Sequence, residues 1–231
     1  VAPWAGPYGG VPPFDKVTVE SVAPALEVGM ARNLAEVDLI ATNPEPPTFE
    51  NTIAALERAG RAQSRAATVY NVYNSTLNDD AVQAVERDME PKLAAFNDQV
   101  FQNEQLFKRI SAVYDARETS ALTPEQQRLT WYYYTNFVRA GAKLDAPAKQ
   151  RLAEINQQLA TLYTTFSQNV LADENDQVVL IDKEADLDGL PESVRVGAAL
   201  AAEARGRKGQ WAVSNTRSSV DPFLTYSSRR D

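Results

Sequence analysis

The chain has 231 residues, carries 31 Asp and Glu against 23 Lys and Arg for a net charge of −8, and contains no histidine and no cysteine. The acidic balance repels phosphate backbones and argues against nucleic acid as the main partner. Without imidazole or thiolate the chain itself can build neither an HExxH zinc site nor a His-based triad nor a Cys-based metal site, so no catalytic, cofactor-binding or metal-ligating residue is expected in it.

Hydrophobic residues make up 44% and charged residues 23%, the mix of a globular protein with a core of its own. The longest apolar runs fall far short of the roughly 20 residues that span a bilayer, so no membrane partner is expected. The start, Val1-Ala2-Pro3-Trp4, lacks a basic segment followed by an apolar stretch. A signal peptide already removed would leave the same start, so the compartment stays open.

Eight of the thirteen prolines fall within the first 47 residues, and residues 1–16 are also glycine-rich. These sixteen residues are expected to form an extended arm, residues 17–175 a helical bundle, and residues 176–231 an incomplete strand-helix-strand segment. The expected class is mainly α: an elongated bundle of about six long antiparallel helices with a small C-terminal α+β appendage.

Taken in chain order, Val22, Leu26, Met30, Leu34 and Val37 recur at helical spacing and predict a helix over 18–41. Thr48-Phe49-Glu50-Asn51 opens a second, predicted to run to about Thr76 with Ile53, Leu56, Tyr70 and Tyr73 inward. A third spans Asp79 to Phe101, where Val82, Val85, Met89, Leu93, Phe96 and Val100 are spaced 3, 4, 4, 3 and 4, and Pro91 should kink it. A shorter helix carries Leu106, Ile110, Val113 and Tyr114.

Thr123-Pro124-Glu125-Gln126 is a capping box with proline at the first helical position, opening a helix expected to stop at Gly141. Asp145 caps the last long helix, whose predicted buried row is Leu152, Ile155, Leu159, Leu162, Phe166 and Val170. Its opposite face holds Glu154, Gln158, Thr161, Thr165 and Gln168. Gln177–Ile181 and Trp211–Ser214 read as strands flanking an alanine-rich helix from Pro191 to Arg205. Two strands are too few for a free-standing sheet. Helix starts are also expected at Pro222 and over Ser228–Asp231, which gives the C-terminal part an unfinished look.

Few residues offer chemistry. The basic cluster Arg205-Gly206-Arg207-Lys208 complements a helix C-terminus better than it forms a binding patch. Gly6-Pro7-Tyr8-Gly9-Gly10 follows no strand and opens no helix, so it is not a phosphate cradle. Asp79-Asp80 reads as a helix start, Glu86 and Glu90 as a solvated face, and Asp173, Glu174 and Asp176 as a polar loop; none is favoured as an acid/base pair. Trp131-Tyr132-Tyr133-Tyr134 with Phe137 covers every side of a helix, which favours a central core helix rather than a groove in which one or two tyrosine hydroxyls bond a peptide-like ligand. Arg139 beside it is expected in a structural ion pair.

Several segments resemble the N-terminal region of zinc metallopeptidases related to thimet oligopeptidase, and the bacterial dipeptidyl carboxypeptidase branch most. They are Pro12-Pro13-Phe14-Asp15-Lys16, Asn43-Pro44-Glu45-Pro46-Pro47-Thr48-Phe49-Glu50-Asn51-Thr52 with Ala55-Leu56-Glu57-Arg58, and Phe137-Val138-Arg139-Ala140-Gly141-Ala142. Ile155-Asn156 with Leu159-Ala160, Phe166-Ser167-Gln168-Asn169-Val170-Leu171 and Gly189-Leu190-Pro191-Glu192 continue the match in order. Asn215-Thr216 ahead of Pro222 favours the dipeptidyl carboxypeptidase branch over the oligopeptidases.

The resemblance implies a larger two-lobed peptidase that holds zinc through HExxH and a downstream glutamate and hydrolyses short peptides. No position here matches those residues. The chain would then be an N-terminal, channel-wall portion, inactive alone, whose partners are the missing catalytic domain and, in the parent, short peptides. An isolated fragment would be expected to self-associate. A bacterial cytoplasm or periplasm is the implied setting. The competing reading is a stand-alone helical module that binds a peptide or protein partner without catalysis.

Overall fold

The computed structural model describes residues 1–8 and 10–229. The chain is mainly α and divides into two compact units, Val1–Thr164 and Thr165–Asp231. In the first unit a one-turn 3-10 helix, Phe14–Lys16, precedes α1 (Val19–Ala41). There follow α2 (Ala54–Arg58), α3 (Arg61–Thr76), α4 (Asp80–Phe101), α5 (Glu104–Ala116), α6 (Pro124–Arg139) and the start of α7 (Ala146–Asp176).

The predicted helix over 48–76 is not one helix. Thr48 and Asn51 bond reciprocally, Asn51 N–H to Thr48 Oγ1 at 3.1 Å and Thr48 N–H to Asn51 Oδ1 at 2.8 Å. They start a wide π-type turn, Phe49–Ile53, that leads into α2. The chain then breaks at Gly60, whose φ of 74° is a left-handed conformation that β-carbon-bearing residues avoid. A single glycine inside an apolar-periodic stretch left no periodicity signal, which is why the break was missed. Pro91 lies within α4, which continues through it.

The other starts follow their caps. Asp79 accepts from the N–H groups of Ala81 and Val82, both at 3.0 Å. The box at Thr123 and Gln126 forms as the sequence predicts. Asp145 Oδ1 accepts from Ala148 N–H at 2.9 Å.

Two buried clusters hold this unit. Val22, Leu26, Met30, Ala66, Tyr70, Met89 and Phe96 join the first half of α1 to α3 and α4. Val37, Ile40, Ile53, Leu106, Ile110, Val113 and Phe137 join its second half to the π-type turn, α5 and α6. Thus α1 serves both cores with one face, as its 3–4 spacing requires.

The row of α7 belongs to neither cluster. Lys149 and Asn156 attach α7 to α4 and α5: the buried Lys149 Nζ reaches Glu104 Oε1 at 3.1 Å, and Asn156 Nδ2 reaches Asp98 Oδ1 at 2.7 Å. The bond from Lys149, and then its charge, hold the Glu104 carboxyl below the ordinary carboxylate range. A lowered carboxyl stabilises the fold above its unfolded value and loses that contribution as pH falls through the folded one. Glu104→Gln is therefore expected to unfold at lower urea than the parent chain at pH 7. The gap should close as pH drops below the carboxylate range, in urea titrations at several pH values.

In the second unit β1 (Val178–Ile181) pairs antiparallel with β2 (Trp211–Ser214), Val178 opposite Ser214 and Ile181 opposite Trp211. Between the strands lie a 3-10 turn, Glu184–Leu187, and α8 (Glu192–Glu203); α9 (Arg217–Tyr226) follows β2. Both strands and α8 match the sequence reading. Helix α9 begins before the proline expected to open it, and Pro222 sits inside it. Positions 230 and 231 of the expected start at 228–231 lie outside the described residues, and Ser228 N–H instead bonds to Asp188 O at 3.0 Å. Ile181, Leu187 and Leu190 form the small core, with Trp211, Val213 and Phe223 against it.

Gly189 locks this core. Its φ is +85°, and a β-carbon there would lie 2.3 Å from Tyr226 O and 2.8 Å from Ser228 N. Backbone atoms cannot give way as a side chain can, so Gly189→Ala combines strain and overlap. Its expected cost to the second unit is about 2–3 kcal/mol, read in the unfolding transition of Trp211 fluorescence in a background where Trp4 and Trp131 are replaced by phenylalanine.

Candidate functional surface

The carboxylate groups singled out in the sequence do not converge. Asp79 is spent on capping α4. Asp173, Glu174 and Asp176 lie in the last turn of α7, not in a loop. Helix periodicity simply runs on past Asn175, because nothing in that stretch breaks it.

Glu86 and Glu90 are not a solvated face. Glu86 is buried, and its Oε1 accepts from Asn74 Nδ2 at 3.2 Å. One turn on, Glu90 Oε1 accepts from the hydroxyl of buried Tyr70 at 2.7 Å. Both face α3, which offers a tyrosine and an asparagine where an apolar contact would be usual. Buried polar groups need such partners. Burial first, then the bond to Glu90 and the charges of Glu90 and Glu86, push the Tyr70 phenol far above its ordinary range. It stays a donor at any physiological pH and does no acid-base work.

The aromatic run is half core and half surface. Phe137 is buried, with its ring centroid 4.9 Å from that of Phe101 and 6.4 Å from that of Phe107. Tyr134 stacks on Tyr114 at 3.8 Å. Tyr133 donates to Glu57 Oε1 at 2.7 Å, and burial, before that bond, pushes its phenol well up. Tyr132 is exposed, and Trp131 lies under the Arg128 guanidinium at 4.0 Å. The expected central helix thus has an open side, because α5 and the π-type turn cover only part of α6. Arg139 is exposed at the C-terminus of α6 and makes no ion pair among the described residues, so the expected structural pair does not form. Its charge suits the helix end instead.

The residue that the sequence reading missed is Arg109. It is buried, and its guanidinium donates to Asn43 O at 2.8 Å, Glu45 O at 2.9 Å and Asn51 Oδ1 at 2.9 Å. It therefore clamps the proline-rich 43–51 segment onto α5. The signal was available: Leu106, Arg109, Ile110 and Val113 share one face of α5, so the arginine lies in an apolar row. Arg205 behaves as the sequence suggested, donating from the end of α8 back to Ala201 O at 3.1 Å.

A groove of about 670 Å³ lies under the N-terminal residues, lined by Trp4, Val11, Val17, Val22 and Val69, with Arg65 bonding to Val1 O at 2.8 Å. Ala5 bridges Val11 across the glycine-rich turn. Among the described residues, no three His, Cys, Asp or Glu lie together as a metal site, and no helix is long and apolar enough to cross a membrane.

What the fold leaves exposed is the later part of the row on α7 that the sequence predicted to be buried, while Leu152 and Ile155 at its start are half-buried. In the first unit Leu159, Leu162 and Tyr163 are exposed, Leu162 by 63% and Tyr163 by 67%. In the second unit Phe166 and Val170 are exposed, as are Val179, Leu200, Leu224 and Tyr226. The apolar periodicity forms the helix, but the helices that would cover this row are already turned towards the two clusters around α1.

No family model matches the chain. Among curated proteins it is similar to dipeptidyl carboxypeptidase of Escherichia coli, 32% identical over 92% of this chain and 31% of that protein. The Salmonella typhimurium dipeptidyl carboxypeptidase matches at 32% over the same shares. Oligopeptidase A of Haemophilus influenzae follows at 28% over 96% of this chain and 32% of the relative. The chain thus spans about a third of the length of the curated relatives it matches. It is a homologue of the N-terminal part of the peptidases dipeptidyl carboxypeptidase and, at lower identity, oligopeptidase A.

Proposed function

We propose that the chain serves as the N-terminal helical portion of a longer zinc-dependent peptidase, one wall of the space that admits short peptides, with the reacting groups elsewhere in the polypeptide. The observation that carries this is the match itself. It runs through 92% of the chain yet accounts for 31% of a dipeptidyl carboxypeptidase. Dipeptide release from the C-terminus of short peptides is the activity proposed for the whole protein.

The zinc that the resemblance implies does not fit the side chains present. The chain has no histidine or cysteine, and its carboxylates form no cluster of three among the described residues. The phenols of Tyr70 and Tyr133, both engaged and both held protonated, add no proton-transfer group. No catalytic step is assigned to any of them. Their part in this reading is to fix a rigid wall.

The test is hydrolysis of short peptides with added zinc. The purified 231-residue chain should release no dipeptide, while the product of the complete gene should do so and lose activity to a chelator. Zinc-dependent dipeptide release by the 231-residue chain would overturn the proposal.

A further inference from the structure

From Gln126 to Leu144 the sequence carries Arg128, Arg139 and Lys143 and no Asp or Glu, in a chain whose net charge is −8. Arg128, Trp131, Tyr132, Thr135 and Arg139 follow one another at helical spacing on the side of α6 away from buried Phe137. Because α6 packs against α5 and the π-type turn, this is its open side. Arg128, Tyr132 and Arg139 are exposed there, and Trp131 is half-buried. Neither arginine has an ion pair among the described residues; Arg128 only lies over the Trp131 ring, at 4.0 Å. Two acids that border the helix are engaged. Glu57 accepts from the Tyr133 hydroxyl at 2.7 Å, and Glu125 is held in the first turn by its own backbone N–H and by Thr123.

We infer that this face of α6 binds a short acidic peptide, one carboxylate at Arg128 and another at Arg139, with an apolar side chain between them against Trp131 and Tyr132. The inference goes beyond the peptidase reading and stands without it. Charge complementarity chooses the occupant. Each guanidinium is a planar fork that fits a carboxylate, and Arg, Trp and Tyr are the side chains on which binding energy concentrates. The two arginines stand about 16 Å apart along the helix axis, the length of about five residues of extended peptide. A long polyanion, nucleic acid included, meets the repulsion of the whole acidic chain, which two arginines do not offset. A short segment with two carboxylates meets only the local positive field.

The test uses the 231-residue chain with Trp4→Phe and Trp211→Phe, which leaves Trp131 under Arg128 as the one indole. Both buried clusters of the first unit, to which α6 belongs, are drawn from residues 1–142. The probe is acetyl-Glu-Ala-Leu-Leu-Ala-Glu-amide, whose carboxylates have the required spacing, with the peptide carrying Gln for both Glu as control. Trp131 emission should change saturably as a carboxylate draws Arg128 off the ring, and the control should leave it unchanged. Arg139→Gln, at an exposed position that keeps the reporter intact, should weaken binding by about fivefold, the worth of one exposed ion pair. No change in emission, an equal change with the Gln peptide, or unaltered affinity in Arg139→Gln would overturn the inference. Dipeptide release by the product of the complete gene is a separate measurement, so the peptidase reading can fail or hold independently.

Discussion

Phe137→Ala is expected to destabilise the first unit by about 3–5 kcal/mol, the range for truncating a fully buried aromatic side chain. Phe137 is 2% exposed and touches the rings of both Phe101 and Phe107. It also closes the cluster made by the second half of α1, α5 and the π-type turn. Because three helices meet on it, the cavity cannot collapse by moving one of them. Urea unfolding followed by circular dichroism measures the effect. The readout should be a lower midpoint for the first unit, with the Trp211 transition of the second unit unchanged. A shift below about 1 kcal/mol would mean that this cluster does not hold the fold.

Arg109→Met has a comparable expected cost, about 3–5 kcal/mol, by a different route. Methionine fills much the same space but donates nothing, so Asn43 O, Glu45 O and the Asn51 amide oxygen lose three bonds of 2.8–2.9 Å at once. The relief of no longer burying a charge, and water reaching the outer carbonyls, keep the cost from being larger. Arg109→Lys should recover less than half, because one ammonium cannot reach three acceptors spread across a planar fork. Hydrogen exchange supplies the specific readout: the amides of 48–58 should lose protection while those of α3 and α4 keep theirs.

How much of this was legible in the sequence depended on the physics each feature used. Local signals read true. Asp79, Thr123 and Asp145 start their helices, and the Val-rich strands pair as expected. These outcomes are decided within four residues or by a simple period. The break at Gly60 was hidden because the apolar spacing resumes in register beyond it. The burial of Glu86 was hidden because its partner, Asn74, comes from another helix.

The row on α7 is the instructive failure. Its periodicity predicted a covered face, and the helix formed, but the fold half-covers only its start, at Leu152 and Ile155. Amphipathic spacing reports that a face is to be covered, not by what. As for the candidate site, the absence of histidine and cysteine could be read at once. The Arg109 clamp could not, since a lone arginine in an apolar row does not say which distant carbonyls it will meet.

That clamp also bears on the order in which the chain becomes itself during synthesis. Arg109 bonds to positions 58, 64 and 66 residues earlier, and Tyr133 bonds to Glu57 across 76. The stretch from Asn43 to Asn51 leaves the ribosome long before either partner exists. Until α5 has emerged it must wait as an unclamped, proline-rich tether between α1 and α2. A pause in translation before residue 109 would prolong that wait, and the segment so exposed is where a protease or a chaperone would find the nascent chain.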